Sequence, residues 1–316
     1  MKKNPSIYIF ILLLVFIYAC EESVNTNADF RERYVLTSII DCDSERQLAY
    51  VTRTYDPEIE EINPDVETVF LQDADIKIWY EYDVYEFEDT TLMSIDGKVA
   101  SCYIVNDLKP KSNEIIEIEA LLPNNLLLRS STKVPSVSKI KMESSNGRQI
   151  SQNTINELTV AWTNIGKFIY DPKFVINYYN NGDTNHTIIE KVVPLDFEIN
   201  NSDTIYVYPK PSNRTNLGIS KKALTNALNE ISGNDQLKSN YVILNLELQM
   251  KVYDENLSAY YSSSHQFLDQ FSITLDSQLY SNIEGGHGIF AAYIIKKLSI
   301  RLDNNYIRSF GYRYGQ

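Results

Sequence analysis

The stretch ELTVAWT, residues 157–163, alternates apolar and polar residues along the chain. In an extended backbone this alternation places Leu158, Val160 and Trp162 on one face. The run FVINYY at 174–179 follows closely and is also rich in β-branched and aromatic residues. Such residues favour strands, so the two runs predict neighbouring strands with Trp162 in a core.

The same pair resembles strands B and C of a fibronectin type III domain. In that resemblance Trp162 is the core tryptophan and Tyr178 or Tyr179 is its partner. A longer apolar run, YVILNLELQMKVY at 241–253, predicts a later strand, and we expect 259–262 to be its hairpin mate.

One segment in this half has a helical period. Residues 220–231, SKKALTNALNEI, begin with Ser220 as a suitable N-cap, and Gly233 is placed to end the helix. The apolar stripe of this helix consists of Ala223, Leu224, Ala227, Leu228 and Ile231. We expect an inserted helix that packs on a sheet edge or end; a partner-binding helix is the alternative.

Short strand patterns with frequent turn residues also fill residues 34–134. Val134-Pro135 marks a joint, after which a new strand pattern begins. The predicted fold is therefore mainly β, with two immunoglobulin-like or fibronectin III-like sandwiches in tandem, 34–134 and 135–316. Towards the C-terminus, we expect two strands at 289–295 and 298–302.

The N-terminus has the character of a lipoprotein signal. Lys2 and Lys3 precede an apolar run at 7–19, which is short for a membrane span. Residues 17–20, IYAC, resemble a lipobox, which predicts a signal peptide over 1–19 and lipidation, such as palmitate, at Cys20. Residues 20–33 then form the lipidated cysteine and a polar tether. An ordinary cleaved signal or an uncleaved anchor remains the alternative.

Charge excludes one class of partner. The net charge of −13 argues against nucleic acid, whose binding requires a basic surface. The charge is uneven, because residues 54–90 are strongly acidic and residues 296–316 are basic. A solvated surface with a basic final strand explains this pattern, and an acidic surface for a basic partner or a cation is the alternative.

Two cysteines remain beyond Cys20. By alternation Cys42 and Cys102 both face apolar interiors, which permits either a disulfide or two buried free thiols. Neither has the histidine partner that nucleophilic catalysis needs.

The remaining polar residues give little sign of catalysis. His186, His265 and His287 are far apart in sequence, and Asp73 with Asp75 supplies too few ligands for calcium. Carboxylates in 81–89, EYDVYEFED, could serve a glycosidase, but they also fit the solvated face of an edge hairpin. We expect no enzyme activity, no catalytic residue, no metal and no cofactor.

The stretch YSNIEGGHGIFAAYII, 280–295, contains three glycines around His287. It lacks the following lysine of a phosphate loop, and His287 has no catalytic context. Glycine permits positive φ, so Gly285, Gly286 and Gly288 predict a structural turn that leads into the last strands.

Taken in order, the lipobox, the β-domain, the Val-Pro joint, the fibronectin-like unit with a helix, and the S-N-I-x-G-G-x-G motif resemble the Bacteroidota lipoproteins of the domain-of-unknown-function family 4249. The resemblance covers about residues 30–310. It implies an outer-membrane location, periplasmic or at the cell surface, and an accessory role beside a TonB-dependent receptor in nutrient uptake. It supplies no catalytic residues and no ligand. We therefore expect a non-catalytic lipoprotein that is held to the membrane by its lipid anchor and binds a ligand or a partner. A surface module for carbohydrate or peptide is the alternative, ahead of a carboxylate-dependent glycosidase.

Overall fold

The computed structural model describes residues 33–53, 70–93, 99–151, 155–200, 203–265 and 280–315. These residues belong to one compact unit. The predicted signal peptide at 1–19, Cys20 and the tether up to residue 32 lie outside the described residues. Within the part that is described, no helix is long and apolar enough to cross a membrane.

The largest sheet of the described residues has nine strands. Eight of its strands lie side by side in the order Ile189–Val193 (β12), Tyr170–Asn180 (β11), Tyr241–Tyr253 (β16), His287–Ile300 (β17), Tyr34–Asp41 (β1), Gln47–Arg53 (β2), Val99–Val105 (β6) and Glu88–Met93 (β5). The ninth, Arg313–Tyr314 (β18), pairs with β16 away from this path.

The described residues also form three smaller sheets and three α-helices. A four-stranded sheet has the order Asp83–Glu86 (β4), Asp75–Tyr80 (β3), Ile115–Leu121 (β7) and Leu127–Lys133 (β8). A three-stranded sheet has the order Asn216–Ser220 (β15), Glu157–Trp162 (β10) and Met142–Ser145 (β9). Asp196–Asn200 (β13) and Asp203–Val207 (β14) form a hairpin. The helices are Lys221–Ile231 (α1), Glu255–His265 (α2) and Asn304–Ser309 (α3), and 3-10 turns occupy Gly147–Gln149 and Lys238–Asn240.

Strand β17 connects the two halves of the chain. Its first part runs parallel to β1, and its second part runs antiparallel to β16. Side chains at even positions lie on one face, where Phe290 and Ala292 enter one core and Ile300 enters another. A single strand therefore contributes to two hydrophobic cores.

The two cores differ in what covers the long sheet. In the first, which we call the N-terminal core, the four-stranded sheet supplies residues such as Ile76 and Ile118. In the second, the C-terminal core, the three-stranded sheet supplies Trp162 and α1 supplies Leu224. On the opposite face of β17, α2 packs against Ile289 and Ala291 in a small third cluster.

The mainly β prediction is confirmed, and so is the helix at 220–231. The Ser220 side chain accepts a hydrogen bond from the Ala223 N–H, and Gly233 follows the helix with φ +53°. The predicted stripe is the buried face of α1. These features agree because capping and amphipathic period both act locally.

Three details of the prediction are wrong. Residues 259–262 belong to α2 rather than to a hairpin strand, so α1 is not the only helix. The last two predicted strands, 289–295 and 298–302, are one strand up to Ile300. The predicted partner of Trp162, Tyr178 or Tyr179, is also wrong. The Trp162 ring contacts the Tyr170 ring edge-on, with centroids 5.8 Å apart, and the Tyr178 ring contacts Tyr241 instead.

The boundary between domains at 134/135 stays a prediction. It falls directly after β8, where the chain leaves the four-stranded sheet. Because β17 enters both cores, the last segment of the chain completes the packing of the first.

Candidate functional site

The two predicted core cysteines are free thiols. Cys42 follows β1 and Cys102 lies on β6, and both are buried. Burial, together with the neighbouring carboxylates of Asp43 and Asp41, raises the pKa of Cys42 to about 12. The pKa of Cys102 is also raised, chiefly by burial. Thiols with raised pKa values stay protonated and are poor nucleophiles.

The three histidines lie in three separate segments of the chain. The exposed His186 ring lies 4.8 Å from the Tyr179 ring, and His265 ends α2. His287 begins β17 opposite Val35. Across the described ranges, no group of three or more histidine, cysteine, aspartate or glutamate residues could hold a metal ion.

The acidic residues of the 73–89 region form surface pairs. Lys77 lies 3.1 Å from Asp75 and 3.3 Å from Glu86, and Lys111 lies 3.1 Å from Glu81. Such exposed pairs hold side chains in place at small energetic gain. Their arrangement fits a solvated sheet face.

The three glycines of 280–295 lie where backbones approach closely. Gly285 and Gly288 have φ +82° and +117°, which L side chains rarely adopt. A Cβ atom at Gly288 would overlap the carbonyl oxygen of Leu36, and one at Gly286 would lie 2.8 Å from the Tyr34 carbonyl oxygen. Gly285 and Gly286 form the turn, and Gly288 already belongs to β17.

The residues before the glycines tie this turn to its neighbours. Asn282 bonds Phe290 in both directions, donating to its carbonyl oxygen at 2.7 Å and accepting from its N–H at 2.9 Å. Glu284 exchanges backbone hydrogen bonds with Arg129 of β8. The motif thereby joins β1, β8 and β17, three strands that are far apart in sequence.

A buried carboxylate lies beside this motif. Asp254, which is 1% exposed, accepts hydrogen bonds from the Thr132 hydroxyl, the Ala292 N–H at 2.6 Å and the Leu257 N–H at 2.6 Å. Burial raises the pKa of Asp254 to about 6, although these hydrogen bonds act in the opposite direction. The carboxylate caps α2 and fastens it to β8 and β17.

Asn256 continues the same network. Its amide donates to the Thr132 hydroxyl at 2.9 Å and to the Ser131 carbonyl oxygen at 3.1 Å, and it accepts from the Tyr280 hydroxyl at 2.7 Å. A cleft of about 400 Å³ opens beside it, bordered by Phe168. The hydrogen bonds described for Asp254 and Asn256 are all made to other groups of the protein. We therefore interpret this network as a structural junction.

A different kind of feature occupies residues 188–208. Half of the exposed large hydrophobic side chains of the described chain fall in this short stretch. We call them the hairpin surface: Ile188, Ile189, Ile199, Ile205, Tyr206, Val207 and Tyr208. Ile199 is 72% exposed and Tyr208 is 50% exposed. Concentrated exposed apolar surface marks interaction sites in soluble domains.

The base of the β13–β14 hairpin is held firmly. The Asp196 carboxylate accepts from the Ser220 hydroxyl at 2.8 Å and lies 3.1 Å from the Lys222 ammonium. These contacts and the Phe197 N–H lower the pKa of Asp196. Lys222 also lies 5.0 Å above the Phe197 ring. The hairpin therefore projects from the start of α1 with its apolar strands exposed.

A groove of about 380 Å³ adjoins this surface. Tyr208 and Pro209 form one side, and Lys173, Gln249 and Lys251 of the long sheet form the floor. Glu190 holds two of these side chains in place. Lys173 lies 3.7 Å from Glu190, and Gln249 donates to Glu190 at 2.8 Å.

The sequence alone did not indicate the hairpin surface. Alternation marks strands, but which face remains uncovered depends on the partners that the chain brings to it. The run DTIYVYP at 203–209 alternates as a core strand would, and β14 is nevertheless exposed at every position.

Comparison with known proteins returns one family and no curated relative. No curated protein matches the chain. The model of a domain of unknown function, DUF4249, matches residues 21–299, which include the hairpin surface, Asp254 and the glycine motif. Since this match covers most of the sequence, the chain belongs to the family of the domain of unknown function DUF4249.

Proposed function

We propose that this protein is a non-catalytic lipoprotein of the outer membrane that binds a protein partner through the hairpin surface. The partner we favour is a TonB-dependent receptor of a nutrient-uptake system, which the earlier resemblance implies. The observation that carries the proposal is the concentration of exposed isoleucine, valine and tyrosine side chains in residues 188–208.

Two properties of the hairpin surface support a protein partner. Isoleucine and tyrosine side chains gain much free energy when an interface removes them from water. In addition, β12 is the edge strand of the long sheet, and a partner can bind by adding a strand to a sheet edge. The register of the hairpin places Ile205 and Val207 together on one face of β14 and Ile199 and Tyr206 on the other.

The attachment to the membrane rests on the N-terminal sequence. Lipidation at Cys20 would leave the residues up to 33 as a tether, whose fully extended length is at most about 45 Å. Such a tether keeps the folded part close to membrane partners and raises their effective concentration. Labelled palmitate should enter the wild-type protein, and a Cys20→Ala variant should lose both label and membrane fractionation.

Partner binding is tested by co-purification from the native host after mild detergent extraction. We expect tagged wild-type protein to bring down a TonB-dependent receptor. The double variant Ile205→Asp, Val207→Asp changes two residues on one face of β14. It should recover at least about tenfold less, because each introduced carboxylate is desolvated in the interface. Leu237→Asp, at an exposed position outside the hairpin surface, is the matched control. Equal recovery by all three proteins, or the absence of any receptor, contradicts the proposal.

A second candidate function is a surface module that binds carbohydrate or peptide. The groove favours it, because its lining combines the aromatic ring of Tyr208 with the polar side chains of Gln249 and Lys173. A glycan and peptide array with purified protein tests this function. A bound probe whose signal is lost in Tyr208→Ala supports it, and an array without signal argues against it.

We also propose that each core corresponds to one immunoglobulin-like or fibronectin III-like unit. Trp162 is 1% exposed at the centre of the C-terminal core, as the fibronectin-like pattern predicts. Each core lies between a small sheet and part of the long sheet. A solved structure whose strands superpose on such units in sequential order would establish this assignment.

A further inference from the structure

A further cleft of the molecule lies away from the hairpin surface. It has a volume of about 1000 Å³ and lies where β17 ends and α3 begins. Three arginines from separate segments line it: Arg148 in a 3-10 turn, Arg301 after β17 and Arg308 in α3.

The three guanidinium groups are available to a ligand. All three side chains are exposed, and none forms an ion pair with any residue in the described part of the chain. The one acidic residue in the lining is Asp303, and its carboxylate already accepts the Tyr306 N–H at 2.8 Å as the cap of α3. A local positive charge thus persists on a protein of net charge −13.

Neutral polar groups accompany the arginines. The Asn245 amide donates to the Ser299 hydroxyl at 2.9 Å and accepts from Asn177 at 2.9 Å. Asn304 and Asn305 extend the polar lining with exposed amides. Amide groups both donate and accept hydrogen bonds, as the hydroxyl groups of sugars do.

We propose that this cleft binds an oligosaccharide that carries carboxylate groups, such as a chain of uronic acids. Guanidinium groups recognise carboxylates through paired charge-assisted hydrogen bonds. The asparagines and Ser299 match the hydroxyl groups between them. A volume of about 1000 Å³ is at the upper end for ligand sites, which suits several sugar units better than a small free anion.

The inference is independent of the proposed partner. The hairpin surface contributes none of the residues that line this cleft. The family match ends at residue 299, so Arg301 and Arg308 lie beyond it. If the protein fails to bind a receptor, this proposal still stands. If the cleft binds no ligand, the proposal of receptor binding still stands.

The test is titration calorimetry with the full-length protein in detergent. The probe is tetragalacturonate, and the comparison probes are neutral galactotetraose and tetraglutamate. We expect tetragalacturonate to bind, and its affinity to fall with rising salt. Arg301→Gln and Arg308→Gln should each weaken binding by about tenfold or more, because each removes charge-assisted hydrogen bonds.

Arg313→Gln is the matched control. Arg313 belongs to the same basic segment and is exposed, but it does not line the cleft. This variant should bind within about twofold of wild type. Circular dichroism confirms that each variant is folded, and Arg308, on the exposed side of α3, serves if Arg301→Gln is unstable.

Four results overturn the proposal. The proposal is excluded if tetragalacturonate shows no measurable binding. It is also excluded if neutral galactotetraose binds as tightly as tetragalacturonate. Tetraglutamate that binds as tightly assigns the cleft to acidic peptides instead. An equal loss in Arg313→Gln and Arg301→Gln shows an effect of general charge and no defined site.

Discussion

The glycine motif with its buried junction and the hairpin surface are opposites in how they use their residues. Around Asp254, every side-chain bond described is made to another part of the protein. On the hairpin surface, apolar side chains face solvent and contribute little to the core. The conspicuous sequence, EGGHG, thus holds the fold together, whereas the inconspicuous sequence, IYVY at 205–208, is the part left for contact with other molecules.

Substitution of Gly288 should produce the largest effect. Gly288→Val combines a forbidden φ of +117° with an overlap between Cβ and the Leu36 carbonyl oxygen. Because the obstacle is the backbone of β1, it cannot move aside as a side chain could. We expect a loss of more than about 4 kcal/mol in the free energy of unfolding, or no folded protein, as measured by urea denaturation.

Gly233→Ala is the control for this substitution. Gly233 also has positive φ, +53°, but a Cβ there meets nothing within 4 Å. The expected cost is about 1 kcal/mol, from backbone conformation alone. Similar losses in Gly288→Val and Gly233→Ala would show that close approach at the motif does not matter to the fold.

Removal of the Asp254 carboxylate should have the next largest effect. Asp254→Ala leaves the Thr132 hydroxyl and the N–H groups of Leu257 and Ala292 without their acceptor. We expect a loss of about 3 kcal/mol at pH 5, where Asp254 still holds its proton, because buried unpaired donors are costly. Asp183→Ala is the control. The Asp183 carboxylate also accepts hydrogen bonds from two N–H groups, but it lies in an exposed loop. The loss in free energy of unfolding should therefore stay below about 1 kcal/mol. A loss of similar size in both variants would remove the distinction between the junction and the surface.

The junction should also respond to pH. The folded pKa of Asp254, about 6, lies above its ordinary value of 3.8, so the folded state holds this proton more tightly than the unfolded state. Stability from this group is complete below pH 4 and is lost as the pH rises through 6. Relative to Asp254→Asn, wild type should therefore lose about 2 kcal/mol between pH 4 and pH 7. Urea denaturation at both pH values measures the difference, and a constant or growing wild-type advantage would contradict the assignment.

Sequence reasoning succeeded where structure is decided locally. The strand at 241–253 has the predicted bounds, and α1 begins at the predicted cap. It failed for α2, because ENLSAYYSSSH has a weak helical pattern. That helix packs on β17, and its cap Asp254 is held by Thr132 and Ala292, so its contacts join residues far apart in sequence. The parallel pairing of β1 with β17 is equally remote, since it joins residues about 250 positions apart.

The candidate sites were harder to predict than the fold. The charge asymmetry of the C-terminal segment was visible in sequence, but the convergence of Arg148 with Arg301 and Arg308 required the structure. Exposure of the hairpin surface was hidden for a similar reason. Its alternation is that of any strand, and only the absence of a covering layer over β14 in the described chain distinguishes it.

Polar substitution on the hairpin surface should have the smallest effect on stability. Ile199→Ser removes an apolar side chain that is already 72% exposed, so the free energy of unfolding should change by no more than about 0.5 kcal/mol. Ile289 lies in β17, is 2% exposed and packs against α2. Ile289→Ser should therefore lower the free energy of unfolding by about 3 kcal/mol or more, through lost burial and a cavity. Urea denaturation followed by tryptophan fluorescence compares the two directly. A loss at Ile199 that approaches the loss at Ile289 would mean that the hairpin surface is covered within the molecule and is not a free binding surface. If instead stability is unchanged while receptor recovery falls, this isoleucine serves an interaction outside the fold.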